Sequence, residues 1–215
     1  MAEITWFGHA CFRIRGREAV VLTDPVGPRG GLRASERAAD IITVSQPFLE
    51  GTTLEGAGPG TRIVSGPGEY EVADVFITGI RSFRDDTPGA RRGPNTIYMI
   101  EIEDLVICHL GSLAHVLTEE QAGAMSSVDV LLVPVGGGPV LDAATAVEVI
   151  GQVEPSVVIP MQYATERGDE DLEPLDRFLK QVGSPDVVPM PRFNVKKSDL
   201  GEAMQVVVLQ APQRA

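Results

Sequence analysis

The sequence is poor in the residues that bind transition metals. Its 215 residues include three histidines and two cysteines. Both cysteines, Cys11 and Cys108, lie in strand-like apolar segments, which favours buried free thiols in a reducing compartment over a disulfide. Two cysteines cannot form a zinc–thiolate cage without histidine partners. The histidines, His9, His109 and His115, match no established metal-ligand spacing, so we interpret them as structural.

Basic residues and long apolar runs are also scarce. Eighteen lysines and arginines stand against 30 acidic residues, which gives a net charge of −12. Such a chain repels phosphate backbones and anionic lipids, so we expect neither nucleic acid nor membrane as a partner. No run of about 18 apolar residues suggests a membrane span, and the N-terminal segment lacks the basic and apolar regions of a signal peptide. These absences predict a cytoplasmic protein.

What the sequence does contain is a series of short strand patterns, followed by strands that alternate with helices. The predicted strands of the first half are residues 4–7, 10–14, 19–23, 41–44, 61–64, 75–78 and 96–101, with a turn at SGPGEY. Nearly continuous apolar strands follow at 105–109, 128–134 and 156–160, and a last strand at 205–209. Helices are predicted from Thr118 onward, at 141–153 and at 170–182. This order predicts two sheets with helices outside, in one domain covering 1–215.

No single motif identifies a catalytic site. The loop PVGGGPV joins a strand to a helix but lacks the lysine and hydroxyl residue of a phosphate-binding loop, so a tight turn is the simpler interpretation. Ser112 lacks the flanking glycines of a nucleophile elbow. Asp24, which precedes Pro25, most simply starts a turn.

Several segments taken in order nevertheless resemble a known family. They are ITWFGHACFRI, VLTDP, ADIITVS, GPGEYEV, ICHLGSLAH, VDVLLVPVGGG and PSVVIPMQY. The ordered set resembles the metallo-β-lactamase superfamily, and specifically its branch of small bacterial Zn-dependent hydrolases similar to L-ascorbate-6-phosphate lactonase. The resemblance extends from about Ile4 to Leu209. It implies an α/β fold, the four-layer αββα sandwich with two mixed sheets and the helices outside.

The resemblance also implies where metal ligands would lie, and other residues occupy those positions. The family's H-x-H-x-D-H motif after the strand at 41–44 falls on Gln46, Phe48, Glu50 and Gly51. A middle histidine falls on Arg84, the bridging aspartate on Ser112 and the last histidine on Gln162. Zinc or manganese is the family norm. Because a phenylalanine cannot bind a metal and glutamine or serine binds zinc poorly, we expect no metal cofactor in a cleft formed by these residues and His9.

Three functional hypotheses follow. In the first, the protein is a pseudoenzyme with a degenerate metal site that serves as a binding or structural subunit. Its partner would be a small anionic molecule or a protein, and the sequence also allows a homo-oligomer. In the second, it is a hydrolase with a rebuilt site that uses His9, Glu50, Arg84 and Ser112. In the third, it is a hydrolase with a displaced metal site. That site would use Asp24, Glu50, Asp85 or Asp86 with a surviving histidine and would suit Mg²⁺ or Mn²⁺.

Overall fold

The computed structural model describes residues 1–25, 38–47, 54, 56–87, 89, 91–165 and 171–210. Within these residues the chain forms two mixed β-sheets and three α-helices. Phe48, Glu50 and Gly51, which the resemblance places at the first ligand loop, lie outside the described residues, as does the predicted start of the third helix at Glu170.

The first sheet has six strands: β1 (Ala2–Trp6), β2 (Phe12–Arg15), β3 (Val20–Thr23), β4 (Ile41–Val44), β5 (Arg62–Ser65) and β12 (Phe193–Val195). Their order across the sheet is β12-β1-β2-β3-β4-β5. The strands from β12 to β3 are antiparallel, whereas β3, β4 and β5 run parallel. All four side chains of β4 are buried, as its uninterrupted apolar sequence predicts.

The second sheet has seven strands in the order β13-β11-β10-β9-β8-β7-β6. Its strands are β6 (Gly68–Val72), β7 (Val75–Phe83), β8 (Pro94–Ile102), β9 (Leu105–His109), β10 (Val130–Pro134), β11 (Val157–Met161) and β13 (Gln205–Val206). The strands from β6 to β9 are antiparallel, and β9, β10, β11 and β13 are parallel. The carboxyl ends of β9, β10 and β11 therefore meet at one edge of the sheet, where α/β folds bind ligands.

Two of the three helices contact the second sheet, and the third contacts another helix. They are α1 (Glu119–Ala124), α2 (Ala143–Val153) and α3 (Leu175–Gln181), with α1 against β7, α2 against β10, and α3 against α2. Thr118 caps α1 in a capping box with Gln121, and Asp142 caps α2. None of the helices in the described part of the chain has the length and apolarity needed to cross a bilayer.

The core lies on both faces of the first sheet. Ile41 belongs to the large apolar cluster that also includes the strands of the second sheet, whereas its neighbour Ile42 belongs to a smaller cluster with Phe7, Leu22 and Leu54. Successive side chains of a strand point to opposite faces, so both faces of β4 are covered. This arrangement of two mixed sheets agrees with the sandwich that the family resemblance implies.

Some predicted elements differ from the structure. The turn predicted for SGPGEY at Ser65–Tyr70 overlaps β6, because Gly68–Val72 pairs with Val75–Gly79 across a hairpin. The short strand β12 was not predicted. The third helix begins at Leu175, after Pro174, which leaves the helix without a side-chain cap at that end.

Candidate functional site

Three loops meet at the carboxyl ends of the parallel strands. Gln46 follows β4, Ser112 follows β9 and Gln162 follows β11. The first sheet contributes one of these loops and the second sheet contributes two, so the loops meet where the sheets face each other. These three residues occupy positions at which the family resemblance places metal ligands.

The three side chains form one hydrogen-bonded cluster, hereafter the Gln–Ser–Gln cluster (Gln46, Ser112 and Gln162). Gln46 Nε2 donates to Ser112 Oγ at 2.5 Å, and Gln162 Nε2 donates to the same oxygen at 2.9 Å. Ser112 is buried, and both glutamines are partly buried. The predicted convergence of these three positions is therefore present in the structure.

The cluster leaves one buried polar atom without a partner. Gln162 Oε1 is inaccessible to solvent and accepts no hydrogen bond from the described residues. Buried polar atoms are nearly always paired with protein or with ordered water, so this oxygen is available to a small polar group in the cleft.

Asn95 fixes the position of Ser112 through hydrogen bonds. Its Oδ1 accepts the backbone N–H of Ser112 at 2.9 Å, and its Nδ2 donates to Ser82 Oγ at 2.7 Å and to the carbonyl of Leu110 at 2.9 Å. Asn95 is 1% exposed. Its amide thus ties β7, β8 and the loop after β9 into one rigid support for the cluster.

Asp24 and Ser45 fix the loop that carries Gln46. The carboxylate of Asp24 accepts the backbone N–H of Ser45 at 2.6 Å and its hydroxyl at 2.5 Å. The carbonyl of Ser45 accepts the backbone N–H of Thr96 at 2.8 Å, which joins this loop to β8 of the other sheet. Asp24 therefore supports the loop through hydrogen bonds, which goes beyond the turn role expected from its sequence context.

The backbone around the cluster is strained. Gln162, His9 and Asp24 have φ values of 50°, 49° and 41°, in the left-handed region that non-glycine residues rarely adopt. Such residues cost free energy, persist only where the surrounding structure holds them, and concentrate at functional sites. Three residues of this kind lie in or beside the cluster, which makes this edge a candidate functional site.

His9 adjoins the cluster through its backbone. Its carbonyl accepts the N–H of Gln162 at 3.3 Å and the indole N–H of Trp6 at 2.9 Å. His9 therefore helps to hold Gln162 in its left-handed conformation, whatever the imidazole contacts.

Arg84 directly follows β7 and is only partly hydrogen-bonded. Its Nη1 donates to the carbonyl of Arg92 at 3.3 Å, while its buried Nε has no acceptor among the described residues. Burial lowers the pKa of the guanidinium, the charge of Arg92 lowers it further, and Asp85 opposes both effects. Among the described residues Arg84 forms no ion pair. Asp85 instead accepts the backbone N–H groups of residues 89, 91 and 92, which hold the pKa of its carboxyl below the ordinary value.

His109 and His115 each bond to backbone groups through their rings. His109 is fully buried, and its Nε2 bonds to the carbonyl of Ala10 at 3.0 Å. Burial lowers the pKa of its imidazole, against a smaller opposing effect of Asp24. His115 Nε2 accepts the N–H of Phe83 at 3.2 Å, and its Nδ1 lies 2.8 Å from the carbonyl of Val116.

The described residues of the cluster do not fit zinc or a first-row metal pair. Two carboxamides and a hydroxyl are poor ligands for these ions, which require imidazole, thiolate or carboxylate donors. Both amide N–H groups are directed at Ser112 Oγ, so donor hydrogens occupy the interior of the cluster. No group of three or more His, Cys, Asp or Glu side chains in the described ranges is arranged to hold a metal ion.

A pocket of about 460 Å³ opens beside Gln46. Hereafter it is called the Arg81 pocket, because Arg81 provides its cationic side chain. Its apolar lining includes Val44, Pro47, Pro67, Phe83 and Pro94, and its polar lining includes Gln46 and Asn95. Gln46 therefore belongs to both the pocket and the Gln–Ser–Gln cluster. Asn95, which supports the cluster, also lines the pocket.

Sequence reasoning missed several residues that build the site. Asn95, Ser45 and Arg81 gave no local signal, because their partners lie far away in the sequence. Asn95, for example, joins Ser82 to Ser112.

Comparison with known proteins places the chain in a family. The model of the Beta-lactamase superfamily domain matches residues 3–162. The chain belongs to the β-lactamase superfamily. The match ends at Gln162, so it includes all three residues of the Gln–Ser–Gln cluster.

Relatives in this superfamily are named as metal-dependent hydrolases. The chain is 24% identical over 188 residues to the UPF0173 metal-dependent hydrolase of Thermoplasma acidophilum, covering 76% of this chain and 84% of the relative. It is 28% identical over 196 residues to that of Pelotomaculum thermopropionicum, covering 76% and 85%. The superfamily is thus supported by sequence as well as by fold.

Solved structures agree. A Thermotoga maritima protein considered a Zn-dependent hydrolase of the metallo-β-lactamase superfamily is 33% identical, with a TM-score of 0.79 and coverage of 97% of this chain and 98% of that one. A metallo hydrolase from Ignicoccus hospitalis, 18% identical with a TM-score of 0.66 and coverage of 91% and 99%, shares the fold.

Proposed function

We propose that this chain keeps the ligand-binding cleft of a superfamily hydrolase but has rebuilt it without the family metal site. The observation that carries the proposal is the Gln–Ser–Gln cluster, in which two amides donate to one serine at positions where the family resemblance expects metal ligands. The cleft then binds its ligand through amide, hydroxyl and guanidinium groups.

The chemistry of the cluster favours binding over catalysis. A serine attacks a substrate only when a base removes its proton, and the groups within hydrogen-bond distance of Ser112 Oγ among the described residues are the amides of Gln46 and Gln162. An amide is not a base at neutral pH. Without a metal-bound water or an activated serine, the cluster holds no nucleophile of its own. In this form the protein is a non-catalytic binding or structural subunit.

A second candidate is a hydrolase with a rebuilt or displaced site, and the comparisons favour it. The relatives of Thermoplasma acidophilum and Pelotomaculum thermopropionicum are named metal-dependent hydrolases. Glu50, which the resemblance places in the first ligand loop, would have to supply the acid or base, with Asp24 or Asp86 as further oxygen donors. Asp24 already uses its carboxylate on Ser45.

Calorimetric titration with zinc separates the two candidates. The wild type is compared with a variant that carries Gln46→His, Phe48→His, Gly51→His, Ser112→Asp and Gln162→His. The loop supports built by Asn95 and Asp24 are retained, so the variant should bind zinc more tightly than the wild type. A surface-histidine control, Asn194→His with Gln205→His, shows how much binding two added imidazoles confer by themselves.

The same proteins are then assayed for hydrolysis of lactone, phosphodiester and β-lactam substrates with and without metal. We expect no metal-stimulated hydrolysis by the wild type, because the cluster offers no position at which a metal would lower the pKa of a water molecule. Tight zinc binding by the wild type that is lost on Glu50→Gln would instead establish the displaced-metal hydrolase.

A further inference from the structure

We propose that the Arg81 pocket binds a small organic anion, with its carboxylate at the guanidinium of Arg81 and an apolar body inside. The inference deepens the proposed function by naming the ligand class of the cleft, and it rests on that function in placing the ligand beside Gln46. Four observations support it: the size of the pocket, its lining, its charge and its rigidity.

The size and lining suit a small amphipathic molecule. Ligand pockets commonly enclose about 300–1,000 Å³ and combine apolar walls with a few polar groups. The Arg81 pocket encloses about 460 Å³, with Phe83 and three prolines among its apolar lining residues. An apolar ligand body loses water contact there without leaving polar groups unpaired.

The charge of the pocket selects an anion. The chain carries a net charge of −12, but the segment from Arg81 to Arg92 has four arginines against two aspartates. Asp85 in that segment is directed at backbone N–H groups and forms no ion pair with the described arginines. Arg81 is exposed, lines the pocket and forms no ion pair with any described residue. Its guanidinium is thus available for a two-point contact with a carboxylate.

The wall that Val44 and Gly66 form is held in place before any ligand binds. Tyr98 Oη donates to the carbonyl of Val44 at 2.9 Å and accepts the N–H of Gly66 at 2.9 Å. Burial raises the pKa of Tyr98, so the hydroxyl keeps its proton and both contacts. Gly66 also lies close to Gly79 of β7. A Cβ on Gly79 would lie 2.6 Å from the carbonyl oxygen of Gly66, so only glycine permits this contact. A preformed pocket loses little ordering free energy on binding.

The test uses phenylacetate as the probe and phenylacetamide as its neutral counterpart, titrated by ligand-observed NMR against chelator-treated protein. Wild type should bind phenylacetate saturably and more tightly than phenylacetamide. Arg81→Gln should weaken phenylacetate binding by about tenfold or more, because a charge-assisted contact is lost. The matched control Arg62→Gln removes an exposed arginine outside the pocket lining and should leave binding unchanged.

A second pair of variants tests the apolar wall. Phe83→Ala should weaken binding, whereas Phe76→Ala should not, since Phe76 lies on the same strand, is 50% exposed and does not line the pocket. Equal affinity for the two probes, no saturable binding by wild type, or unchanged binding by Arg81→Gln would each overturn the inference. Metal is removed throughout, so the binding of phenylacetate does not depend on the metal content of the purified protein. Stoichiometric metal in the untreated protein would therefore refute the proposed function without affecting the result on anion binding.

Discussion

At the scale of single residues, Asn95 determines whether the loop with Ser112 stays in place. One buried amide satisfies the N–H of Ser112, the hydroxyl of Ser82 and the carbonyl of Leu110. Few single side chains at the site contact so many of its parts. Removal of the Asn95 side chain therefore measures how much free energy it contributes to holding the loop.

Asn95→Ala should lower the free energy of unfolding by about 2–4 kcal/mol, because a buried N–H and a buried carbonyl lose their partners. Urea denaturation followed by circular dichroism measures this change. Asn194→Ala, at an exposed position of β12, is the matched control and should change stability by less than about 0.5 kcal/mol. Similar values for the two variants would show that Asn95 does not support the loop.

His109 predicts a pH dependence of stability. Burial lowers the pKa of its imidazole in the folded protein, whereas the imidazole in the unfolded chain has a pKa of about 6.5. The unfolded state therefore binds a proton that the folded state does not. Stability is fully present above about pH 6.5 and falls as the pH is lowered towards 5, by up to about 1.4 kcal/mol per pH unit.

Denaturation of wild type and His109→Gln between pH 7 and 5 measures this effect. The variant should be less stable at pH 7 but should lose less stability on acidification. His9 and His115 are present in both proteins, so the difference in slope isolates His109. Parallel slopes would contradict a neutral, buried imidazole.

At the scale of elements, the loop after β10 depends on close backbone contact with the loop after β11. A Cβ on Gly136 would lie 2.1 Å from the carbonyl oxygen of Gln162, which is backbone and cannot yield as a flexible side chain would. The loop PVGGGPV is therefore the tight turn expected from its sequence, and its first glycine lets the strained Gln162 approach.

Gly136→Ala should destabilise the protein by about 2 kcal/mol or more, since the two loops must separate. Gly123→Ala is the control. Gly123 lies in α1 with no atom within 4 Å of an added Cβ, so alanine should be neutral or stabilising by up to about 1 kcal/mol. Thermal melts of both variants compare these effects. A neutral Gly136→Ala would mean that the two loops are not in close contact.

The elements also show how far sequence reasoning extends. Ile41–Val44 and Leu105–His109 were predicted at their observed bounds, because fully buried strands are continuous apolar runs. β6 was missed, because its GEYEV sequence alternates weakly and follows a Gly-Pro turn, and an edge strand carries little apolar signal. The convergence of Gln46, Ser112 and Gln162 followed from the family resemblance. The support by Asn95 did not, because hydrogen bonds between distant segments leave no periodic pattern.

At the scale of the whole molecule, a superfamily sandwich carries a cleft whose described residues form hydrogen bonds to one another. The parallel strand ends of both sheets meet at this cleft, and Asp24 and Asn95 support its loops. At the cleft itself, donor hydrogens from two amides converge on the oxygen of Ser112. The proposed function thus places a centre of different chemistry within the superfamily fold.

The most direct test of the proposed metal-free cleft is elemental analysis of the wild-type protein purified without chelator. Mass spectrometry should find zinc, iron and manganese each well below one equivalent per chain, because Gln46, Ser112 and Gln162 offer no ligand set for them. Addition of zinc followed by desalting should leave that content unchanged. Near-stoichiometric metal, located by anomalous scattering between the loops after β4 and β9, would contradict the rebuilt cleft.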